Sequence, residues 1–561
     1  MPRDPRFSRK QVLTTFALSA AAAIFPAEAL GQANQTPVAK PVDQVTTDDI
    51  KILEKVSGLN FTEDERKEVL DTVRSYRATF EQLRQAAIRE TTSVPLAYVP
   101  SGLPAPTDRT VKATVTRVRD LKRPSRDSDL AFMSIRELGQ LLRNKQITSV
   151  ELTQLYLSRL KKYGDTLLCL VTLMESSALE QAEQADADLK NGLDRGPLHG
   201  IPYGAKDLLA TKGAPTTWGA DPYKTQVFDY DAAVIERLRA AGAVLVAKLS
   251  MGALAQGDVW FNGTTKNPWN MKQGSSGSSA GSAAATAAGL VAFGIGTETS
   301  GSILSPSQRC RVTGLRPTFG RVSRYGAMEL SFSLDRIGPI CREAEDCALV
   351  LSALCGADAR DPSAVDRPFI YPPKLDIGSL RIGWVGAESG LANDVAAKRL
   401  KELGAQVVPL KVAPFPGAIF TILNVEASSA FDAFTRSDLI HGLKNSSWPE
   451  TFRSGRFVPG VEYIQAQRTR ALMMRQFEKD VAEFDFLLGP GIGGQAFNHA
   501  NFCGYPSIAI PFGDDGNGNS VSKALTGKPY DEARLVVLAK ALQDSFEFHR
   551  HHPDMDAAGA A

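Results

Sequence analysis

Apolar residues recur at helical spacing through the first long patterned stretch of the chain, "NFTEDERKEVLDTVRSYRATFEQLRQ". Val69, Val73, Tyr76, Phe80 and Leu83 fall along one side of the helix it predicts. Thr62 and Glu65 stand just ahead of that run at the spacing of a capping box, which marks the helix start. The helical region is expected over about residues 47 to 90, and the proline-bearing connector "SVPLAYVPSGLPAPTDRT" follows it. From about residue 129 the pattern changes to helices alternating with short apolar runs. "DAAVIERLRAAG" predicts a helix with Asp231 as N-cap and Gly242 past its end, and "AVLVAK" then has the length and composition of a buried strand. "LRIGWVG", "AQVVPL", "DFLLGP" and "SIAIPFG" repeat the strand theme, with helical stretches at 394–403 and 531–547 between them. This alternation predicts an α/β layered domain around a mainly parallel or mixed sheet, with the earlier helices packed on it as an accessory. No fixed-period repeat is present.

The first 33 residues read as an address. Arg3, Arg6, Arg9 and Lys10 precede the apolar stretch "VLTTFALSAAAAIF", and "AEA" and "GQA" are small-residue cleavage sites. The stretch is too short for a comfortable membrane span, so no stable insertion is expected once the signal is removed. "SRKQVL" is similar to a twin-arginine export signal, with Arg9-Lys10 in place of the arginine pair. The expectation is an exported, periplasmic or secreted protein. Residues 34–128 form a spacer, the accessory helices and the connector; residues 129–555 form the main domain and 556–561 a tail.

A chain of 561 residues, 43% hydrophobic, can bury a large core. Its 64 basic and 62 acidic residues leave a net charge of +2 without a basic stripe, which argues against a nucleic-acid partner. The six cysteines permit disulfides in an exported chain, but Cys169, Cys347 and Cys355 sit in apolar runs, where a thiol behaves as a small hydrophobe. No CxxC and no Cys/His ligand spacing occurs, so neither a metal nor a cofactor is expected. His549, His551 and His552 read as part of a solvated tail.

The stretch "GSSGSSAGSAAATAAG", residues 274–289, has the composition of a flexible linker but runs into helix and strand patterns. A second cluster, "GIGTETSGSILSPS", follows at 294–307, so glycine N–H groups and serine hydroxyls flank one helix–strand unit. "GSSAG" at 277–281 fits G-x-S-x-G, but that motif needs a strand just before it, and "NPWNMKQG" does not read as one. A third segment, "GPLHGIPYGAKDLLATKG", sets Lys206 among glycines and apolar residues. Burial lowers a lysine's pKa, and a neutral lysine can act as a general base toward serine.

Taken in order, "GPLHGIPYGAKD", "DAAVIERLRAAGAVLVAK", "NPWN", the Ser/Gly run, "GTETSGSI" and "GLRPTFGRVSRYGAMELSFSLDRIGP" resemble the amidase signature family, over about residues 129–555. The resemblance implies a large mixed central β-sheet with helices on both faces. It implies a Ser–cis-Ser–Lys triad of Lys206, Ser278 and Ser302, a cis Gly277–Ser278 peptide, and an oxyanion site at the N–H groups of Thr299, Ser300, Gly301 and Ser302. The activity implied is hydrolysis of a small-molecule amide without metal or cofactor. The chain departs from the family pattern at Ser276, Ala280 and Ser300, where glycines are usual, at Glu298 for Asp, and at Leu304 for Arg. With Leu304 uncharged, Arg309 and Arg311 are the sequence's candidates to partner Glu298. Three functions fit: an exported serine amidase, the amidase component (the A subunit) of a tRNA-dependent amidotransferase, and a non-catalytic binding protein on an amidase scaffold.

Overall fold

The computed structural model describes residues 45–85, 110–444, 446–489, 491–516 and 519–558. The predicted export segment, nearly all of the connector and the last tail residues lie outside the described residues. Eleven strands form one mixed sheet: β1 Leu170–Leu173, β2 Pro202–Lys206, β3 Val244–Leu249, β4 Phe293–Glu298, β5 Thr313–Arg316, β6 Arg336–Cys341, β7 Arg381–Trp384, β8 Gln406–Pro409, β9 Phe486–Gly489, β10 Ser507–Asp514 and β11 Ser520–Thr526. Their spatial order is β8-β7-β9-β11-β10-β5-β6-β4-β2-β3-β1. β2 runs parallel to both β3 and β4, and β4 pairs antiparallel with β6.

The continuous apolar runs become strands because both faces of the sheet are covered. Leu245 of β3 packs in one apolar cluster with the helices Ile135–Arg143 and Ala344–Leu354. Its neighbours Val244 and Val246 pack in a second, with Leu160 and Ala283–Ala285. All five strands read from apolar runs are present, and the predicted helices appear as Ala233–Ala240, Val395–Glu402 and Glu532–Phe546. Asp231 is not the N-cap of its helix. The cap position is Ala232, and the Asp231 carboxylate instead accepts from the Lys212 N–H at 2.8 Å and pairs with Arg239 at 2.6 Å.

The accessory helices are α1 Thr47–Ser57 and α2 Glu63–Gln85. The predicted capping box is formed: the Thr62 N–H donates to the Glu65 carboxylate at 2.7 Å, and the Glu65 N–H donates to Thr62 Oγ1 at 3.3 Å. α2 docks on the helices Trp448–Ser454 and Gly460–Asp480 of the main body. Arg453 pairs with Glu65 and, at 2.8 Å, with Glu68; Arg84 pairs with Glu462 at 2.7 Å; the Tyr76 hydroxyl lies 3.1 Å from Ser454 Oγ. Leu83 enters a cluster with Ile422 and Phe477. The Arg453 side chain is 5% exposed and Glu65 15%. Removing the arginine takes the cation from a mostly closed contact in which Glu65 keeps only the Thr62 N–H and His441, while Glu68, 45% exposed, turns to water. Arg453→Ala is expected to lower stability by about 1–3 kcal/mol with turnover retained, read as a fall in melting temperature against an unchanged specific activity.

Of the three C-terminal histidines, His551 and His552 are exposed as expected and His549 is not. His549 is buried, and His552 stacks on Phe132 with ring centroids 3.9 Å apart. Burial pushes His549 down to about 4, leaving it neutral. The six cysteines are free thiols, and all but Cys355 are buried. Among the described residues no group of three His, Cys, Asp or Glu side chains is arranged to hold a metal, and no helix is long and apolar enough to cross a membrane.

Candidate active site

Lys206 ends β2, Ser278 lies in the loop before the helix Ala280–Ala287, and Ser302 lies in the turn between β4 and the helix Leu304–Arg309. Because β2 lies beside β4, Lys206 and the turn that carries Ser302 leave the same region of the sheet. Lys206 Nζ donates to Ser278 Oγ at 2.9 Å, to Ser279 Oγ at 3.1 Å and to Thr297 Oγ1 at 2.8 Å, with the Thr297 carbonyl at 3.3 Å. The Ser279 N–H donates to the Ser302 carbonyl at 3.1 Å, which seats Ser302 against the Ser278–Ser279 peptide. The Gly277–Ser278 peptide is cis, as the resemblance implies. A Cβ at Gly277 would lie 1.8 Å from the Gly257 carbonyl oxygen, so this serine-rich loop is held by close approach rather than slack. Lys206 and Ser278 are buried, while Ser302 is partly accessible.

Every hydrogen-bond partner of Lys206 is uncharged. Full burial pushes it down to about 7, against weaker opposite pulls from Asp335 and Glu298. Lys248, also fully buried, differs in having a carboxylate: its Nζ lies 2.9 Å from Asp207 Oδ1. The second residue of "KD" thus serves the other lysine, a pairing that the sequence does not announce.

Ser279, the G-x-S-x-G serine, is fully buried and bonded to Lys206 and to the Thr297 carbonyl. Residues Asn270–Gly274 before it do form a short strand, contrary to expectation. That strand belongs to a two-stranded hairpin with Lys266–Asn267 and delivers no exposed nucleophile.

Among the described residues, the N–H groups of Ser300, Gly301 and Ser302 have no hydrogen-bond acceptor in the protein. Gly301 has φ +91, a conformation that a residue with a side chain adopts only with strain. The Thr299 side chain donates to Asp335 Oδ1 at 2.5 Å, and its carbonyl accepts from Asn501 Nδ2 at 2.9 Å.

Glu298 is partnered by Arg316 rather than by Arg309 or Arg311. Arg316 Nη1 lies 2.8 Å from Glu298 Oε1, with both side chains fully buried. Arg309, exposed at the end of the short helix, reaches toward the Gly274 carbonyl, and Arg311, past that helix, pairs with Asp514 at 3.3 Å and lies over the Trp269 ring, so both have other partners. The other Glu298 oxygen accepts from the N–H groups of Ile303 and Leu304, at 2.8 and 3.0 Å, and caps that helix. Burial opposes ionisation of Glu298, but Arg316, Arg336 and the Leu304 N–H outweigh it and hold the carboxyl below its ordinary value. Leu304 is itself buried, so it requires no charge partner. A cavity of about 730 Å³ adjoins this arrangement, with Leu208, Thr297, Thr299, Phe319, Met328 and Leu330 in its wall.

A layered α/β fold with a buried lysine bonded to Ser278 and with backbone donors left open beside Ser302 has the makings of an amide-hydrolysing enzyme. A model of the Amidase family matches residues 151–536, and the chain belongs to that family. It is 33% identical over 490 residues to the A subunit of the glutamyl-tRNA(Gln) amidotransferase from Moorella thermoacetica, covering 77% of this chain and 100% of the relative. It is 34% identical to the corresponding protein of a Marinomonas species, which carries the same name, covering 76% and 99%. The native peptide amidase of Stenotrophomonas maltophilia superposes with a TM-score of 0.66 at 29% identity, covering 76% of this chain and 99% of that one. The accessory helices α1 and α2 lie outside the family match.

Proposed function

We propose that the chain hydrolyses carboxylic amides through an acyl-enzyme on Ser302. The observation that carries this reading is the shell of Lys206, a buried amine bonded only to neutral oxygens and placed 2.9 Å from Ser278 Oγ. Neutral Lys206 takes a proton from Ser278 as Ser278 takes one from Ser302, and Ser302 Oγ bonds to the carbonyl carbon. The electron pair displaced onto the carbonyl oxygen meets the N–H groups of the Thr299–Ser302 turn. One such donor typically contributes about 10²–10³ in turnover. The proton returns through Ser278 to the leaving nitrogen as the C–N bond breaks. Water, deprotonated along the same route, then releases the acid and restores Ser302.

Two settings suit this chemistry. The curated relatives favour the amidase component of a tRNA-dependent amidotransferase, since the likeness extends over essentially their whole length. The basic, apolar and small-residue order of residues 1–33 favours an exported, periplasmic amidase acting alone on a small amide. N-terminal sequencing of the protein from separated cell fractions distinguishes them. A chain beginning after residue 29 or 33 outside the cytoplasm supports export, and an intact cytoplasmic chain that copurifies with partner proteins supports the amidotransferase reading.

The chemistry itself is tested with a fluorophosphonate probe on the purified chain. Labelling is expected at Ser302, located by peptide mass spectrometry, together with release of ammonia or amine from members of an amide panel. Tight ligand binding without labelling at Ser302 would instead favour the non-catalytic scaffold.

A further inference from the structure

The wall of the 730 Å³ cavity carries six charged residues, Arg324, Glu329, Asp335, Arg336, Arg360 and Asp361. Five of them are engaged within the protein. Arg324 bonds to the Phe332 carbonyl at 2.6 Å and to Ser363 Oγ at 2.8 Å, and pairs with Asp361 at 3.4 Å. Arg360 pairs with Glu236 at 2.6 Å and Asp358 at 2.9 Å. Asp335 accepts from Thr299 Oγ1 and from the N–H groups of Leu330 and Ser331. Arg336 is held by the Leu334 carbonyl and Asn501; its Nη1 has no acceptor but is closed off from the cavity surface. Glu329 remains: it is accessible and, among the described residues, no donor or cation meets its carboxylate.

The aromatic rings of the same wall repeat the pattern. Arg360 lies over Tyr325 at 4.0 Å and Arg324 over Phe319 at 5.1 Å. Phe332, 44% exposed, has no cation over it among the described residues. A carboxylate without a counter-ion and an open aromatic face in one concave wall are the two elements that bind an ammonium or guanidinium group. Burial and the neighbouring carboxylates of Asp335, Glu426 and Asp361 raise the Glu329 carboxyl above its ordinary value, against Arg324, so a further positive charge is welcome there.

We propose that Glu329 and Phe332 form a cation subsite, so that the favoured substrates are amides carrying an ammonium or guanidinium group. The inference rests on the amidase reading for what fills the cavity. It is tested with ω-aminoalkanamides against the isosteric alkanamides in which methyl replaces the amine, across a range of chain lengths. Binding to the Ser302→Ala protein is measured by calorimetry, and turnover is measured on the active chain. The best-fitting amine is expected to bind about tenfold or more tightly than its isostere, and Glu329→Gln should collapse that ratio to near one. Phe332→Leu should reduce the ratio in part.

Equal binding of the two series, or a preference that survives Glu329→Gln, overturns the proposal. Because the calorimetry does not depend on catalysis, a chain that binds amines at Glu329 without hydrolysing any amide refutes the amidase reading and leaves the subsite standing. A chain that hydrolyses both series equally does the reverse.

Discussion

Methionine in place of Lys206 is expected to lower kcat/KM by about 10²–10⁴-fold, the contribution of a positioned general base, while the fold is kept. Methionine matches the length of most of the lysine stem and removes only the amine. The oxygens left behind retain some of their partners, since Ser279 Oγ also donates to the Thr297 carbonyl at 3.1 Å. If Lys206, Ser278 and Ser302 act as one relay, as proposed, Lys206→Met combined with Ser278→Ala should fall little further than the single variant. Additive losses would show that the two side chains serve separate steps.

The same residue sets a pH dependence whose sign follows from its burial. With Lys206 at about 7, kcat/KM of the active chain should rise with pH up to about that value and then level off, as the amine loses its proton. Stability runs in the same direction. Between about 7 and the ordinary value of 10.5, the unfolded chain holds a proton on this amine that the native state lacks, so unfolding becomes harder as pH rises through that window. Lys206→Met should therefore lack the activity limb near 7 and lack this share of the stability gain. A limb that persists in Lys206→Met belongs to another group.

How far the site could be read in advance depended on sequence distance and on buried polar contacts. The apolar strands were legible because burial on both faces leaves an uninterrupted run such as "VLVAKL". β2 and β6 were not, since "PYGAK" and "RIGPIC" carry proline and glycine, which ordinarily speak against a central strand. Pro339 of β6 stands opposite Ile295 in the ladder with β4, while the pairing with β5 covers only Ile340 and Cys341. Lys206 stood out as a lysine set among glycines and apolar residues, whereas Ser278 and Ser302 were assigned through the family resemblance and not from the Ser/Gly clusters alone. The side chains that hold the nucleophile turn carry no such signal. Asn501 bonds to Thr299 from 202 residues away, and its surroundings, "FNHANFCGYP", read as an ordinary helix end. Arg316 was the one open clue: a charge inside the strand sequence "TGLRPTFG" needs a buried partner, and that partner is Glu298.

Aspartate at position 501 is expected to lower kcat by about 10²-fold with little change in KM and no loss of melting temperature. Asn501 Oδ1 accepts from Arg316 Nη1 at 3.0 Å and from Arg336, and both arginines are donors only. That fixes the orientation of the amide, leaving Nδ2 to donate to the Thr299 carbonyl. In a trans peptide the C=O and N–H point in opposite directions, so anchoring the Thr299 carbonyl on Asn501 turns the Ser300 N–H the other way, away from Asn501. Asn501→Asp keeps the acceptor for both guanidinium groups but sets an oxygen against the Thr299 carbonyl, which loosens that peptide without undoing the cluster. A buried network that only supported the fold would respond differently. The added carboxylate between Arg316 and Arg336 would leave or raise stability, and turnover would be untouched. The deciding measurement is the kcat-against-KM split together with the rate of fluorophosphonate labelling at Ser302: both kcat and labelling should slow if the Ser300 N–H steadies the developing oxyanion, whereas turnover within about threefold of the unaltered chain would show that Asn501 does not position that donor.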